Sequence, residues 1–241
     1  MVEKFHEELK EVRTEVVKMG HLARDMLIDS VSALKNRDIE LAEKVFALKT
    51  VIADMDYRIE KKTFRLIALY QPMARDLREI ACILKLITYI TRVGRYSKDI
   101  AKITIDKFAD KQHIKKMVSI PHMASIVESM INDAIYAFEY KDIKNFSDFI
   151  EREETVDEFR YSIYRECLSY MIEDPKKIEA CTEYVIIARY LERCGDHACK
   201  MAEKIIYMVT GDRVEIDCRD ETAKACFVPY RIRSDDENND S

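Results

Sequence analysis

Tryptophan is absent from this chain of 241 residues, and glycine and proline occur only four times each. Sandwiches, barrels and doubly wound sheets place both residues at their many turns, so their scarcity excludes those folds and leaves an all-α protein. The longest apolar stretches, such as Ile80 to Ile90, are interrupted by charge and fall short of the ~20 residues that a membrane-spanning helix requires. Blocks of one charge sign are missing too. The net charge of −5 is spread as mixed signs along the chain, the pattern of solvated helix faces, and leaves no basic footprint for nucleic acid. The seven cysteines form no CxxC pair and follow no apolar leader, which predicts reduced, buried thiols in a cytoplasmic protein. A Gly-rich phosphate-cradling loop and a nucleophile elbow are lacking, and neither Glu153 nor Glu192 is followed by His at the Glu-x-x-His spacing of di-iron bundle enzymes, so catalysis is not expected.

What the chain does have is helical periodicity. Phe5, Leu9, Val12, Val16, Met19, Ala23, Met26 and Val31 recur every three or four residues, which predicts a first helix from about residue 2 to 35. Asn36-Arg37-Asp38 breaks the pattern, and Asp38 is placed to cap a second helix that runs to about Tyr70. Proline is accommodated in a first helical turn, so a third helix is expected from near Pro72 to about Phe108. A charged stretch from Ala109 to Pro121 then marks a boundary, after which the arrangement begins again. Met26, Asp29, Ala33, Asp38 and Ile39 return 104 positions later as Met130, Asp133, Ala137, Asp142 and Ile143. Tyr89, Arg92, Gly94, Ala101 and Ile105 return 101 positions later as Tyr190, Arg193, Gly195, Ala202 and Ile206.

The duplication predicts two tandem three-helix bundles, residues 1–110 and 119–211. The sixth helix is expected from Pro175 to Val209, stopped by Gly211. Residues 212–241 form a short extension. Cys226 to Arg231 has the character of a surface-docking segment, and the acidic, polar run from Ser234 to Ser241 is expected to be disordered.

Carboxylates fall on the apolar stripes of the second bundle. Phe146, Ile150, Tyr164, Leu168 and Met171 share a stripe of the fifth helix with Glu153 and Asp157. Cys181, Val185, Ala188, Leu191 and Gly195 share one of the sixth with Glu192, and Asp196 lies at its edge. Like charges four residues apart repel, and a buried carboxylate lacking a counter-charge is costly. Two such pairs facing one interior are how helical bundles hold metal ions, and oxygen-only ligation suits iron, manganese or magnesium, with zinc also compatible. The other reading pairs these acids with Arg152, Arg160, Arg189 or Arg193. His197 is either an added ligand or a hydrogen-bonding residue, and Cys194 with His197 alone does not make a structural zinc site. In the first bundle the matching positions are Ile52, Asp56, Thr91 and Arg95, so three of the four acids are missing. Asp56 is expected to face inward and pair with Arg95.

Three passages carry a family resemblance: Gln71-Pro-Met-Ala-Arg-Asp-Leu-Arg-Glu-Ile80, Leu191-Glu-Arg-Cys-Gly-Asp-His-Ala198 and Ala202-Glu-Lys-Ile-Ile-Tyr-Met-Val-Thr-Gly211. They are close to the QPVAxDLR, LERIGDHA and AExVIYxVTG passages of the PhoU family, which the chain resembles from about residue 5 to 211. The resemblance implies two three-helix bundles, a cytoplasmic homodimer and multinuclear metal clusters at E(D)xxxD motifs. Here those motifs are matched by Glu153, Asp157, Glu192 and Asp196. It implies a negative regulator of phosphate uptake and phosphate signalling. Such a protein acts by contact with components of an ABC-type phosphate transporter and a sensor kinase, reaches the membrane only through them, and binds no nucleic acid directly. The alternative is a PhoU-like accessory module for another transporter or for transcription. Two departures stand out: Thr91-Arg-Val-Gly-Arg95 replaces ERxGD, and Lys200 stands where Asn is common, one turn from Asp196.

Overall fold

The computed structural model describes residues 2–109, 113–114 and 119–216. Among them are six α-helices and no strand: α1 Val2–Asn36, α2 Ile39–Tyr70, α3 Ala74–Ile103, α4 Ser119–Tyr140, α5 Phe149–Glu173 and α6 Ile178–Thr210. The expected docking segment from Cys226 and the acidic end of the chain lie outside the described residues. All eight apolar positions that define the first helical stripe are buried. Asp38 is extended, and its carboxylate accepts the Leu41 N–H at 3.0 Å, capping α2. The duplication is visible in the backbone as well. Arg37 and Lys141, 104 positions apart, turn the chain through the left-handed region at φ 55° and 57° to close α1 and α4.

α3 starts later than expected. The ring of Pro72 keeps the residue before it out of the right-handed helical region, and Gln71 takes φ 47° while Met73 is extended. The helix therefore begins at Ala74 and finishes in a π-helical turn, Thr104–Phe108. Phe108 is fully buried and stacks on Tyr184 of α6, with ring centroids 5.2 Å apart. In the connection to α4, His113 donates from Nε2 to the Leu34 carbonyl (2.9 Å) and accepts the Tyr184 hydroxyl at Nδ1 (2.9 Å). One imidazole thus ties the end of α1 to α6. At the other end, Pro175–Lys177 is a separate 3-10 turn, and Gly211 at φ 88° ends α6 with its N–H on the Tyr207 carbonyl.

α1, α2 and α3 pack together, as do α4, α5 and α6, and the two groups meet where α3 lies along α6 and α1 along α4. A single apolar core runs through both. Gly20 permits the second of these contacts, because a Cβ there would sit 2.8 Å from Ile135 Cγ1 on α4. Gly20→Ala is expected to cost about 1–3 kcal/mol through overpacking, read as a lower denaturation midpoint at unchanged m-value.

The fifth helix is rotated relative to its predicted stripe. Its buried face is Phe149, Glu153, Val156, Ile163 and Cys167, whereas Tyr164 and Leu168 are about half exposed. Glu153 is nevertheless central to the buried face. Tyr161, Tyr164, Leu168 and Ile172 instead form an exposed apolar stripe along the outer side.

Candidate metal centre

α5 and α6 bring the two acid pairs to one seam. Glu153 and Glu192 are buried, at 6% and 5% exposed, while Asp157 and Asp196 are half-buried at its edge. Arg160 lies across the seam, its Nε 3.9 Å from Asp157 Oδ1 and 3.8 Å from Glu192 Oε1. Arg189 donates to Glu192 Oε1, and Arg193 donates to Asp196 Oδ2 at 3.1 Å while lying 3.9 Å from Glu192 Oε2. Three guanidiniums are thus interleaved with the carboxylates, as the ion-pair reading expects. Among the described residues, no three or more His, Cys, Asp or Glu are grouped closely enough to surround a metal ion.

The arginines do not fully satisfy the acids. Glu192 Oε2 and Arg160 Nε are buried without hydrogen bonds. Burial and repulsion from Asp196 raise the Glu192 carboxyl above its ordinary range; Asp157 adds to the rise, and Arg189 and Arg193 oppose it. A seam where desolvation and carboxylate repulsion outweigh Arg189 and Arg193 has the donor chemistry a hard cation takes. Cys199, which the sequence did not single out, is buried beside it. Burial, then the fields of Glu153 and Asp196, hold its thiol protonated. Its place three residues after Asp196 was the available signal.

His197 points elsewhere. It stacks with Tyr89 and Tyr96 of α3 at centroid distances of 5.8 and 6.0 Å, and its Nε2 has no hydrogen bond. Burial, with Arg92 and Arg193, pushes its pKa down to about 4, so it packs as a neutral ring. Cys194 is a fully buried free thiol. All five cysteines among the described residues are buried, and none is joined to another of them by a disulfide.

The matching seam of the first bundle does not fit a metal. Ile52 is buried with its Cδ1 pressed against Gly94, in the space a Cβ would need. The expected ion pair does not form: Arg95 is exposed, with no ion pair among the described residues. Asp56 faces Thr91, whose buried hydroxyl does not close a full hydrogen bond. Burial raises the Asp56 carboxyl, Thr91 opposes the rise and Glu60 adds to it. Identical wheel positions put Asp56 and Arg95 on facing helices, but the long arginine gains more from solvent than from a half-buried carboxylate.

The comparisons agree with this architecture. The PhoU domain matches residues 16–104 and again residues 120–205, one copy per bundle. A phosphate-specific transport system accessory protein PhoU homolog from Clostridium acetobutylicum is 33% identical over 88% of this chain and 97% of its own length. A homolog of the same description from Rhizobium meliloti is 37% identical over 86% of this chain and 87% of its own. Among solved structures, PhoU from Pseudomonas aeruginosa superposes with a TM-score of 0.82 at 33% identity, covering 86% of this chain and 99% of that one. The phosphate transport system regulatory protein PhoU from Streptococcus pneumoniae gives 0.79 at 26% identity, covering 88% and 99%. With the domain matched twice and relatives aligned over nearly their whole length, the chain belongs to the PhoU family.

Proposed function

We propose that this chain is a negative regulator of phosphate uptake and phosphate signalling, acting by contact with components of an ABC-type phosphate transporter and an associated sensor kinase, without catalysis. The observation that carries the proposal is the near full-length match to proteins named as accessories of the phosphate-specific transport system. The exposed stripe of Tyr161, Tyr164, Leu168 and Ile172 supports action by contact. None of the helices is long and apolar enough to cross a membrane, in the residues that are described, and the regulator meets the membrane through its partners in the cytoplasm. A homodimer is part of the proposal. Removing the gene under phosphate-replete conditions is expected to raise phosphate uptake and phosphate-starvation reporter output, with restoration by the intact chain. Unchanged uptake in the deletion strain overturns it.

Within this proposal the second bundle holds the metal, through Glu153, Asp157, Glu192 and Asp196. A cation held by these residues would supply positive charge beside Glu192, whose carboxyl is raised by burial and by Asp196 and Asp157. The first bundle holds none. Elemental analysis of untagged protein is expected to find iron, manganese, zinc or magnesium in the wild type. The Glu192→Ala, Asp196→Ala double variant is expected to lose it. Chelation lowers the melting temperature of the wild type only, because a ligand bound to the native state stabilises it by mass action. Metal-free wild type leaves Arg160, Arg189 and Arg193 as the permanent partners of these acids.

A further inference from the structure

A second concavity lies between α3 and α6, one turn along α6 from Asp196, where the chain continues past Gly211. Its volume, about 510 Å³, is in the range of small-molecule sites. Lys85 of α3, Lys200 and Lys204 of α6, and Arg213 line it together with only two carboxylates, Glu203 and Glu215. A net positive cavity on a chain of net charge −5 runs against the overall field and focuses anions toward itself.

Glu203 builds the site. It is 5% exposed, accepts Lys200 Nζ at 2.7 Å and the backbone N–H of Ile216 at 3.1 Å, and lies 3.6 Å from Lys204 Nζ. Its charge is thus absorbed internally, while the Ile216 bond holds the returning segment, and with it Arg213, over the cavity. The Arg213 guanidinium sits above the Tyr207 ring, 5.5 Å from its centroid. Lys85 is exposed and has no ion pair among the described residues. Lys85 from α3 and Arg213 from the segment after α6 are therefore left for a ligand.

The geometry points to a binding site for a phosphoryl group, from inorganic phosphate or a phosphorylated small molecule, held by Lys85, Lys200, Lys204 and Arg213. Lysine binds phosphate as a compact point charge and arginine as a planar fork, so the mixed set suits a tetrahedral, multiply charged anion. The choice of phosphate over other oxyanions rests on the proposed role in phosphate regulation; the cationic cavity does not. Because α3 belongs to the first bundle and α6 to the second, an anion here bridges the two.

Isothermal titration of the full chain at low salt tests this with three probes: inorganic phosphate, ATP and sulfate. Phosphate or ATP is expected to bind and sulfate to bind more weakly. Whichever of phosphate and ATP binds more tightly identifies the source of the phosphoryl group. The Lys85→Gln, Arg213→Gln variant changes only exposed residues and is expected to bind about tenfold more weakly, the effect of removing two partly solvated charge contacts. A Lys44→Gln, Lys61→Gln variant, altered at exposed sites on α2, controls for net charge and is expected to bind like wild type. Equal loss in both variants, no binding of either phosphoryl probe, or sulfate binding as tightly as phosphate overturns the assignment. Deletion-strain uptake is measured separately, so failure here leaves the regulatory role standing, and failure there leaves the cationic site standing without its phosphate preference.

Discussion

Glu79→Ala is expected to lower folding stability by about 3 kcal/mol, through loss of the charge-assisted hydrogen bonds that the buried carboxylate accepts. Glu79 is 3% exposed on α3, where Arg13 of α1 donates to Oε1 from Nε at 2.8 Å and again from Nη2. Lys141, from the turn after α4, donates to Oε2 at 2.8 Å. Truncating the carboxylate leaves two cations facing one another in a partly buried site that joins the bundles. On a chain of this size the melting temperature should fall on the order of 10 °C. Burial by itself would raise the Glu79 carboxyl, but the hydrogen bonds and charges of Lys141 and Arg13 outweigh it and hold the pKa below its ordinary 4.5. The native state therefore binds this proton less readily than the unfolded chain. The contribution is complete above the ordinary value and disappears as pH falls through the depressed one. Unfolding midpoints of wild type and Glu79→Ala, measured from neutral to acidic pH, should converge in acid. A constant gap across that range would assign the loss to packing rather than charge.

This network also marks where sequence reading stops. Glu79 lies 66 residues from Arg13 and 62 from Lys141, and no helical period links such positions. α1 was legible because its apolar residues lie on one side, so wheel and burial agree at every position from Phe5 to Val31. α5 is apolar on two sides. Tyr161, Tyr164, Leu168 and Ile172 compete with Phe149, Val156, Ile163 and Cys167 for the inward phase, and periodicity alone cannot rank two stripes. The acids of the seam were legible by spacing, and the arginines interleaved with them were legible as the alternative. Which guanidinium reaches which carboxylate depends on side-chain conformations that spacing does not carry. The cationic cavity was invisible for another reason: Lys85, Lys200 and Arg213 come from two helices and a returning segment, and cluster only once α3 packs on α6.

Ile52→Ala is expected to lower stability by about 2–5 kcal/mol, the range for emptying a well-packed aliphatic site. Ile52 is 3% exposed and fills the place in the first bundle that Glu153 holds in the second. Its Cδ1 and Cγ2 close over Gly94, so the backbone of α3 approaches α2 with no Cβ between them. A cycle with Gly94→Ala isolates that contact. Alone, Gly94→Ala drives its new methyl into Ile52 and is destabilising. In the Ile52→Ala background the methyl enters the vacated space, so the double variant should be more stable than the sum of the single changes by about 0.5–3 kcal/mol. Zero coupling in denaturant unfolding would mean that α2 and α3 shift apart to relieve the clash, and that Ile52 does not set their spacing. Coupling of the expected sign also predicts that Ile52→Glu is poorly accommodated at this seam. The new carboxylate would enter a space shaped for a branched aliphatic chain, beside Asp56, whose own carboxyl burial already raises. Thr91 and Arg95 stand where the second bundle has Glu192 and Asp196. The asymmetry between the bundles is therefore built into packing as well as into the identity of the side chains at the matching positions.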